Sequence, residues 1–120
     1  MKRLLDILLL AIALFLFTFT HPALAAEKSL GNKIFTANCA SCHVGGSNIL
    51  IEQKTLKKEA LAKYLEGYEL DPIAAIINQV KNGKSAMPAF KDKLSPEEIV
   101  EVAAFVFQKA EQGWEIKQHD

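Results

Sequence analysis

The chain has 120 residues, with 14 lysines and arginines, 14 aspartates and glutamates, and a formal net charge of zero. Its length suits one domain. The chain has no excess of basic residues, which would favour nucleic-acid binding, and no excess of acidic residues, which would favour a strongly basic partner.

The first 25 residues have the pattern of a secretory signal peptide. Lys2 and Arg3 are basic, residues 4–19 are almost continuously apolar, and residues 23–25 read Ala-Leu-Ala, a typical cleavage site. An uncleaved membrane anchor is the alternative, but the apolar run is short for a bilayer and includes Asp6. We therefore expect residues 1–25 to be removed during export.

The mature chain, residues 26–120, keeps 12 lysines and 13 acidic residues, a net charge of −1. We expect one domain over residues 26–114 and a polar, loosely ordered tail over residues 115–120. A domain this small has a marginal core unless something else fills or braces it. No period-2 alternation is evident, and the pattern is helical throughout.

The first predicted helix, about residues 29–38, leads into Cys-Ala-Ser-Cys-His at residues 39–43. That spacing is typical of c-type haem attachment: Cys39 and Cys42 would each form a thioether, and His43 would bind the iron. Gly31 inside the helix is costly unless another backbone packs closely against it, and a frayed, exposed first turn is the alternative.

Three other interpretations of this cysteine pair compete with haem. A thioredoxin-like couple would need a βαβ setting. A zinc site would need a second pair of ligands, which the sequence lacks. An ordinary disulfide is the third, although export makes two cysteines compatible with either state.

The next segment reads as a turn at residues 44–48, a short apolar run at residues 49–51, and a second helix from about residue 55 to 67. The apolar run either lies against the haem edge or fills the core beneath a loop. Lysines on the second helix form a solvated face or, in the alternative interpretation, a docking surface for a partner.

The third helix should begin with Asp71 as N-cap and Pro72 at its first position, and should stop at Gly83. It carries Gln79, which is either an exposed helical glutamine or a hydrogen-bond donor near the haem. Met87 follows in a loop and is the only methionine of the mature chain. The proline after it disfavours helical backbone at Met87, so we predict that its thioether is the second axial ligand of the iron.

The last helix has a strong start signal in Ser95, Pro96 and Glu98, which together predict a capping box. Its apolar residues cover more than half of its circumference, so we expect it to be the most buried helix. It should end at Gly113, with Trp114 just beyond.

These motifs together resemble the cytochrome c6 family, class I c-type cytochromes of cyanobacteria and algae. The resemblance rests on the residues 39–43 motif with its following glycines, the Asn-Gly-Lys-Ser-Ala-Met-Pro-Ala-Phe stretch at residues 82–90, and the Ala-Glu-Gln-Gly-Trp ending at residues 110–114. It covers nearly the whole mature chain.

The resemblance implies an all-α, class I cytochrome c fold with about four helices around one covalently bound haem c. His43 and Met87 would be the axial ligands, and Gln79 would help set the redox potential. The implied function is that of a monomeric, non-enzymatic carrier in the thylakoid lumen, or in the periplasm, without stable membrane insertion. It would pass one electron at a time from the cytochrome b6-f complex to photosystem I.

One departure from the family bears on the acceptor. The family usually has an arginine after the methionine loop, where this chain has Lys91 and Lys93, so the charge is kept but the planar fork is lost. A respiratory carrier delivering electrons to a terminal oxidase, and a paralogue with another role, therefore remain alternatives. A peroxidase or gas sensor would need an open sixth position on the iron, and a thiol–disulfide oxidoreductase would need free thiols.

Overall fold

The computed structural model describes residues 1–17 and 29–114. Over these residues the chain is all-helical, as predicted, with six α-helices, one 3-10 turn at Val44–Gly46 and no strand beyond an isolated bridge. The helices are α1 (Lys2–Phe17), α2 (Leu30–Asn38), α3 (Ala40–His43), α4 (Lys58–Tyr64), α5 (Pro72–Asn82) and α6 (Pro96–Gln112). The predicted cleavage site at residues 23–25 and the predicted tail at residues 115–120 lie outside the described residues.

The α1 helix lies within the predicted signal peptide and buries none of its residues. The domain core is built without it, from α2 and the helices that follow. Within the described ranges, no helix combines the length and the hydropathy that a membrane crossing requires.

Three helices begin where side chains cap them. The hydroxyl of Ser29 accepts a hydrogen bond from the backbone N–H of Asn32 at the start of α2. The carboxylate of Asp71 accepts one from Ala74 at the start of α5, and Ser95 forms a reciprocal capping box with Glu98 at the start of α6. Each cap satisfies a backbone donor that would otherwise lack a partner. The predicted caps at Asp71 and Ser95 are confirmed, and the cap at Ser29 is an addition to them.

The α2 and α6 helices cross at Gly31. A Cβ placed on Gly31 would overlap the carbonyl oxygen of Glu101 and lie 2.7 Å from the Cβ of Phe105. Glycine at this position therefore lets the two backbones approach closely. Of the two interpretations of Gly31, the structure supports close packing over a frayed, exposed first turn.

An aromatic cluster of Phe35, Phe105 and Trp114 continues this contact. The ring centroids of Phe35 lie 5.4 Å from Phe105 and 5.2 Å from Trp114, and Phe105 and Trp114 meet edge to face at 6.1 Å. Such spacings suit attractive aromatic pairs. The cluster fixes both ends of the domain, α2 and the residues after α6, against each other.

The α4 helix is shorter than predicted, beginning at Lys58 rather than near residue 55 and ending at Tyr64 rather than residue 67. The hydroxyl of Thr55 accepts a hydrogen bond from the backbone of Lys57, and the backbone N–H of Leu56 is bonded to the carbonyl of Gly46 at 2.7 Å. Lys57 has extended backbone, with φ −71° and ψ 148°, so the helix begins only at Lys58.

The α4 and α6 helices are joined at the surface by an ion pair, in which Lys58 Nζ lies 2.9 Å from a carboxylate oxygen of Glu111. That hydrogen bond raises the pKa of Lys58. Nearby, the side chain of Tyr68 is buried, and its hydroxyl has no hydrogen-bond partner among the described residues. Burial, followed by the charge of Glu111, raises the pKa of Tyr68.

Candidate cofactor site

All five residues singled out in the sequence line one cavity of about 500 Å³: Cys39, Cys42, His43, Gln79 and Met87. They come from three separate stretches of the chain, the end of α2 with α3, the α5 helix, and the loop after α5. The volume is within the range of small-molecule and cofactor pockets. The fold therefore brings together two thiols, an imidazole and a thioether around a single space.

Apolar side chains form most of the cavity wall. They come from α4, α5, α6 and the loop before α6, and they include Leu61, Ile76, Val80, Phe90, Val102 and Val106. The run at residues 49–51 also contributes, since Leu50 and Ile51 line the cavity while remaining exposed to solvent. Of its two interpretations, the structure supports a loop beside the cofactor edge over core filler.

The charged residues that line the cavity are three lysines, Lys54, Lys84 and Lys93, and no carboxylate of the described chain lines it. The ammonium group of Lys93 lies 5.4 Å from the centre of the Phe90 ring, and that of Lys54 lies 5.8 Å from the centre of the Tyr64 ring. These positions suit cation–π contacts. The cavity wall therefore carries positive charge suited to an anionic group.

The two cysteines are free thiols, Cys39 half-buried and Cys42 exposed. Burial raises the pKa of the Cys39 thiol to about 11. A thiol–disulfide oxidoreductase depends on an attacking cysteine whose pKa is lowered, so this environment does not suit that alternative.

His43 is held by a hydrogen bond to the loop that follows it. Its ring Nδ1–H donates to the carbonyl oxygen of Ser47 at 2.9 Å, which leaves Nε2 with a lone pair for a metal. The loop is shaped by the left-handed backbone of Gly45 and Gly46, which have φ of 59° and 78°. The glycines of the predicted turn thus place the acceptor that orients the imidazole.

Met87 lies in a loop fixed by backbone hydrogen bonds. Lys84 and Met87 exchange two bonds of 3.0 Å, and the N–H of Phe90 donates to the carbonyl of Val80 in α5. Gly83 allows the fold-back, since its φ is 66° and an added Cβ would lie 2.7 Å from the backbone nitrogen of Ala89. The thioether therefore lies on a short loop whose backbone is held by hydrogen bonds.

Gln79 contacts Met87 directly. Its side-chain Nε2 lies 3.7 Å from the sulfur of Met87, a distance that suits a weak N–H···S hydrogen bond. Gln79 is partly buried rather than exposed, which supports the second of its two interpretations, a donor near the cofactor.

Several residues of the site were not predicted from the sequence. Asn48 shapes the loop at residues 49–51, because its side-chain oxygen accepts hydrogen bonds from the backbones of Leu50 and Ile51 at 3.0 and 2.9 Å. An asparagine just after a glycine turn is a recognisable signal for such a turn. No sequence pattern indicated a role for Ser47, because it acts through its backbone carbonyl. None indicated a role for Trp114, because its contacts are distant in sequence.

The residues present fit a covalently bound haem c. Unpaired thiols at Cys39 and Cys42 are available to bond its vinyl groups, while His43 and Met87 offer an imidazole nitrogen and a thioether sulfur from separate elements. The apolar wall suits the porphyrin ring, and the three lysines suit its carboxylates. Bound there, a haem would supply reversible one-electron chemistry between Fe(II) and Fe(III).

Comparisons with known proteins agree with this site. Residues 26–106 match the family model described as cytochrome C oxidase, cbb3-type, subunit III, a cytochrome c domain. The chain is 55% identical to cytochrome c6 of Nostoc sp. over 114 residues, 95% of this chain and 99% of that protein. It is 54% identical to cytochrome c6 of Limnospira maxima over 88 residues, 73% of this chain and 99% of that protein. The crystal structure of cytochrome c6 from the diatom Phaeodactylum tricornutum superposes with a TM-score of 0.68 at 54% identity, over 71% of this chain and 95% of that one.

Proposed function

This chain belongs to the cytochrome c6 family of monohaem electron carriers, and on that premise we propose that it carries single electrons from the cytochrome b6-f complex to photosystem I. The observation that carries the proposal is the meeting of Cys39, Cys42, His43 and Met87 around one apolar cavity. If His43 and Met87 both held the iron of a haem, no coordination position would be left for a substrate. Electron transfer without bond making is the chemistry that such a site favours.

The protein's own residues would set the redox potential. Ser47 orients His43, and the apolar wall together with the Met87 thioether favours the reduced, less charged iron, which raises the potential. Gln79, which donates to the same sulfur, is a second influence on it. We expect a positive midpoint potential.

We further propose that residues 1–25 are an export signal and that residues 26–114 form the working domain, in the thylakoid lumen or the periplasm. Two comparisons support this division. The Limnospira relative matches 73% of this chain with 99% of its own length, and the diatom structure matches 71% with 95% of its own. Both proteins therefore lack a counterpart to more than a quarter of this chain.

Haem attachment and ligation are tested on the protein exported from a host with a haem c maturation system. Mass spectrometry should show one haem added to the chain cleaved after Ala25, and redox titration with visible spectroscopy should give a six-coordinate His/Met spectrum. Met87→Leu conserves volume but removes the sulfur. We expect it to lower the potential and to let carbon monoxide bind the reduced iron. An unchanged spectrum and potential would contradict the assignment of Met87.

The acceptor is tested by flash kinetics with photosystem I and by turnover with a terminal oxidase. Lys93 lines the cavity and is exposed, so it should steer an acidic partner surface, whereas Lys33 on α2 does not line the cavity. Lys93→Ala should slow photosystem I reduction several-fold at low salt, and Lys33→Ala should leave it unchanged. Efficient reduction of the oxidase alone would favour the respiratory alternative.

A further inference from the structure

Trp114, just after the end of α6, packs against the loop that follows His43. An added Cβ on Gly46 would overlap the indole ring and lie 2.7 Å from its Cδ1 atom. Gly46 itself is buried. The indole therefore covers this glycine closely, in a place where a side chain on residue 46 would displace it.

Hydrogen bonds extend this contact to the imidazole. The indole Nε1–H donates to the carbonyl of Leu56 at 2.9 Å, and the N–H of Leu56 donates to the carbonyl of Gly46 at 2.7 Å. The next residue, Ser47, supplies the carbonyl that accepts the Nδ1–H of His43. Trp114 thus braces, from outside, the turn that carries the partner of His43.

The position of the indole is itself fixed by the crossing of α2 and α6. Its ring lies 5.2 Å from Phe35 of α2 and 6.1 Å from Phe105 of α6. Both helices therefore hold the ring beside the loop. The loop at residues 44–47 is contacted by this aromatic surface on one side and is tied to Trp114 through Leu56 on the other.

We infer that Trp114 is a positioning residue for His43, acting through Leu56 and the turn at residues 44–47. This rests on the proposed function, because it takes His43 as an iron ligand. A firm hydrogen bond at Nδ1 raises the basicity of the opposite nitrogen, and a more basic ligand favours ferric iron. Loosening the brace should therefore weaken the bond at Nδ1 and raise the midpoint potential.

The test uses the haem-loaded protein and three variants. Trp114→Phe keeps an aromatic ring but removes the Nε1–H donor, and Trp114→Ala removes both ring and donor. Ile99→Val is the matched control, because Ile99 is buried near the other end of α6 and does not line the cavity. Its replacement should lower the unfolding midpoint without changing the loop. The readouts are hydrogen exchange of the His43 Nδ1–H by NMR, the midpoint potential and the unfolding midpoint.

We expect exchange at His43 to be about 2- to 10-fold faster in Trp114→Phe, which corresponds to the net worth of one hydrogen bond. Trp114→Ala should increase the exchange rate at His43 further and should raise the midpoint potential. Ile99→Val should lower the unfolding midpoint and leave the exchange rate and the potential unchanged. Wild-type exchange and potential in both Trp114 variants, or equal changes in Ile99→Val, would overturn the inference. If the parent protein has a normal His/Met spectrum, either of these two negative results leaves the proposed function standing. A parent protein in which His43 does not bind the iron would overturn both this inference and the proposed function.

Discussion

Replacing Gly31 with alanine tests how closely α2 and α6 must approach. The added methyl would overlap the carbonyl of Glu101 and crowd the Cβ of Phe105, and neither atom can move away by rotating a side chain. Overpacking of this kind costs about 1–3 kcal/mol. Alanine recovers about 1 kcal/mol of helix propensity, so we expect the free energy of unfolding to fall by up to about 2 kcal/mol.

The measurements are denaturant unfolding and thermal unfolding of the haem-loaded protein, each followed by circular dichroism. A loss of 1 kcal/mol should lower the unfolding temperature of a domain of this size by roughly 4–8 °C. Thr36→Ala is the control, because Thr36 is exposed on the same helix. Its replacement changes helix propensity and removes an exposed 3.4 Å hydrogen bond to Asn32, but it crowds no neighbour. If Gly31→Ala is as stable as Thr36→Ala, the close crossing does not limit the packing and the reasoning fails.

Three further substitutions probe the cap, the ligand loop and the buried phenol. Ser95→Ala should lower the free energy of unfolding by about 0.5–2 kcal/mol through loss of the capping box, and an unchanged denaturation midpoint would contradict this. Gly83→Ala combines strain at φ 66° with crowding of the loop, so the spectral band of the Met87 bond to iron should weaken; an intact band would refute it. Tyr68→Phe should be neutral or stabilising, because its hydroxyl has no partner. The pKa of Tyr68 is raised in the fold, so its effect on the free energy of unfolding is fully present below the unfolded pKa of about 10 and is lost as pH rises through the folded pKa. The free energy of unfolding should therefore fall less at alkaline pH in Tyr68→Phe, which has no phenol to ionise. An equal fall in both proteins would count against this assignment.

The features predicted from the sequence are those determined by neighbouring residues. Asp71 and Ser95 cap helices whose first turns follow them directly, and both helices begin as predicted. The haem motif at residues 39–43 is equally local. The proposed role of Met87 also comes from neighbouring sequence, because residues 26–120 contain no other methionine and Pro88 disfavours helical backbone at Met87.

The features that were missed depend on contacts distant in sequence. The predicted start of α4 was too early: Lys57 is extended, and Leu56 just before it is bonded to Gly46, ten residues away, and helix propensity indicates neither feature. Trp114 received no role because its partner Leu56 lies 58 residues away. Periodicity indicates which face of a helix is buried, but not which loop a terminal side chain will meet.

In the loop that carries Met87, the residues that set the backbone path differ from the residues that form the surface. Its shape is set by Gly83 and by main-chain bonds, while Lys84, Ser85 and Ala86 expose their side chains to solvent. Substitutions at these three positions can therefore change the surface beside the cavity without moving the sulfur, provided that residue 85 tolerates its φ of 54°. A lineage could exchange one redox partner for another here while Met87, the proposed iron ligand, and the potential expected from it stayed the same.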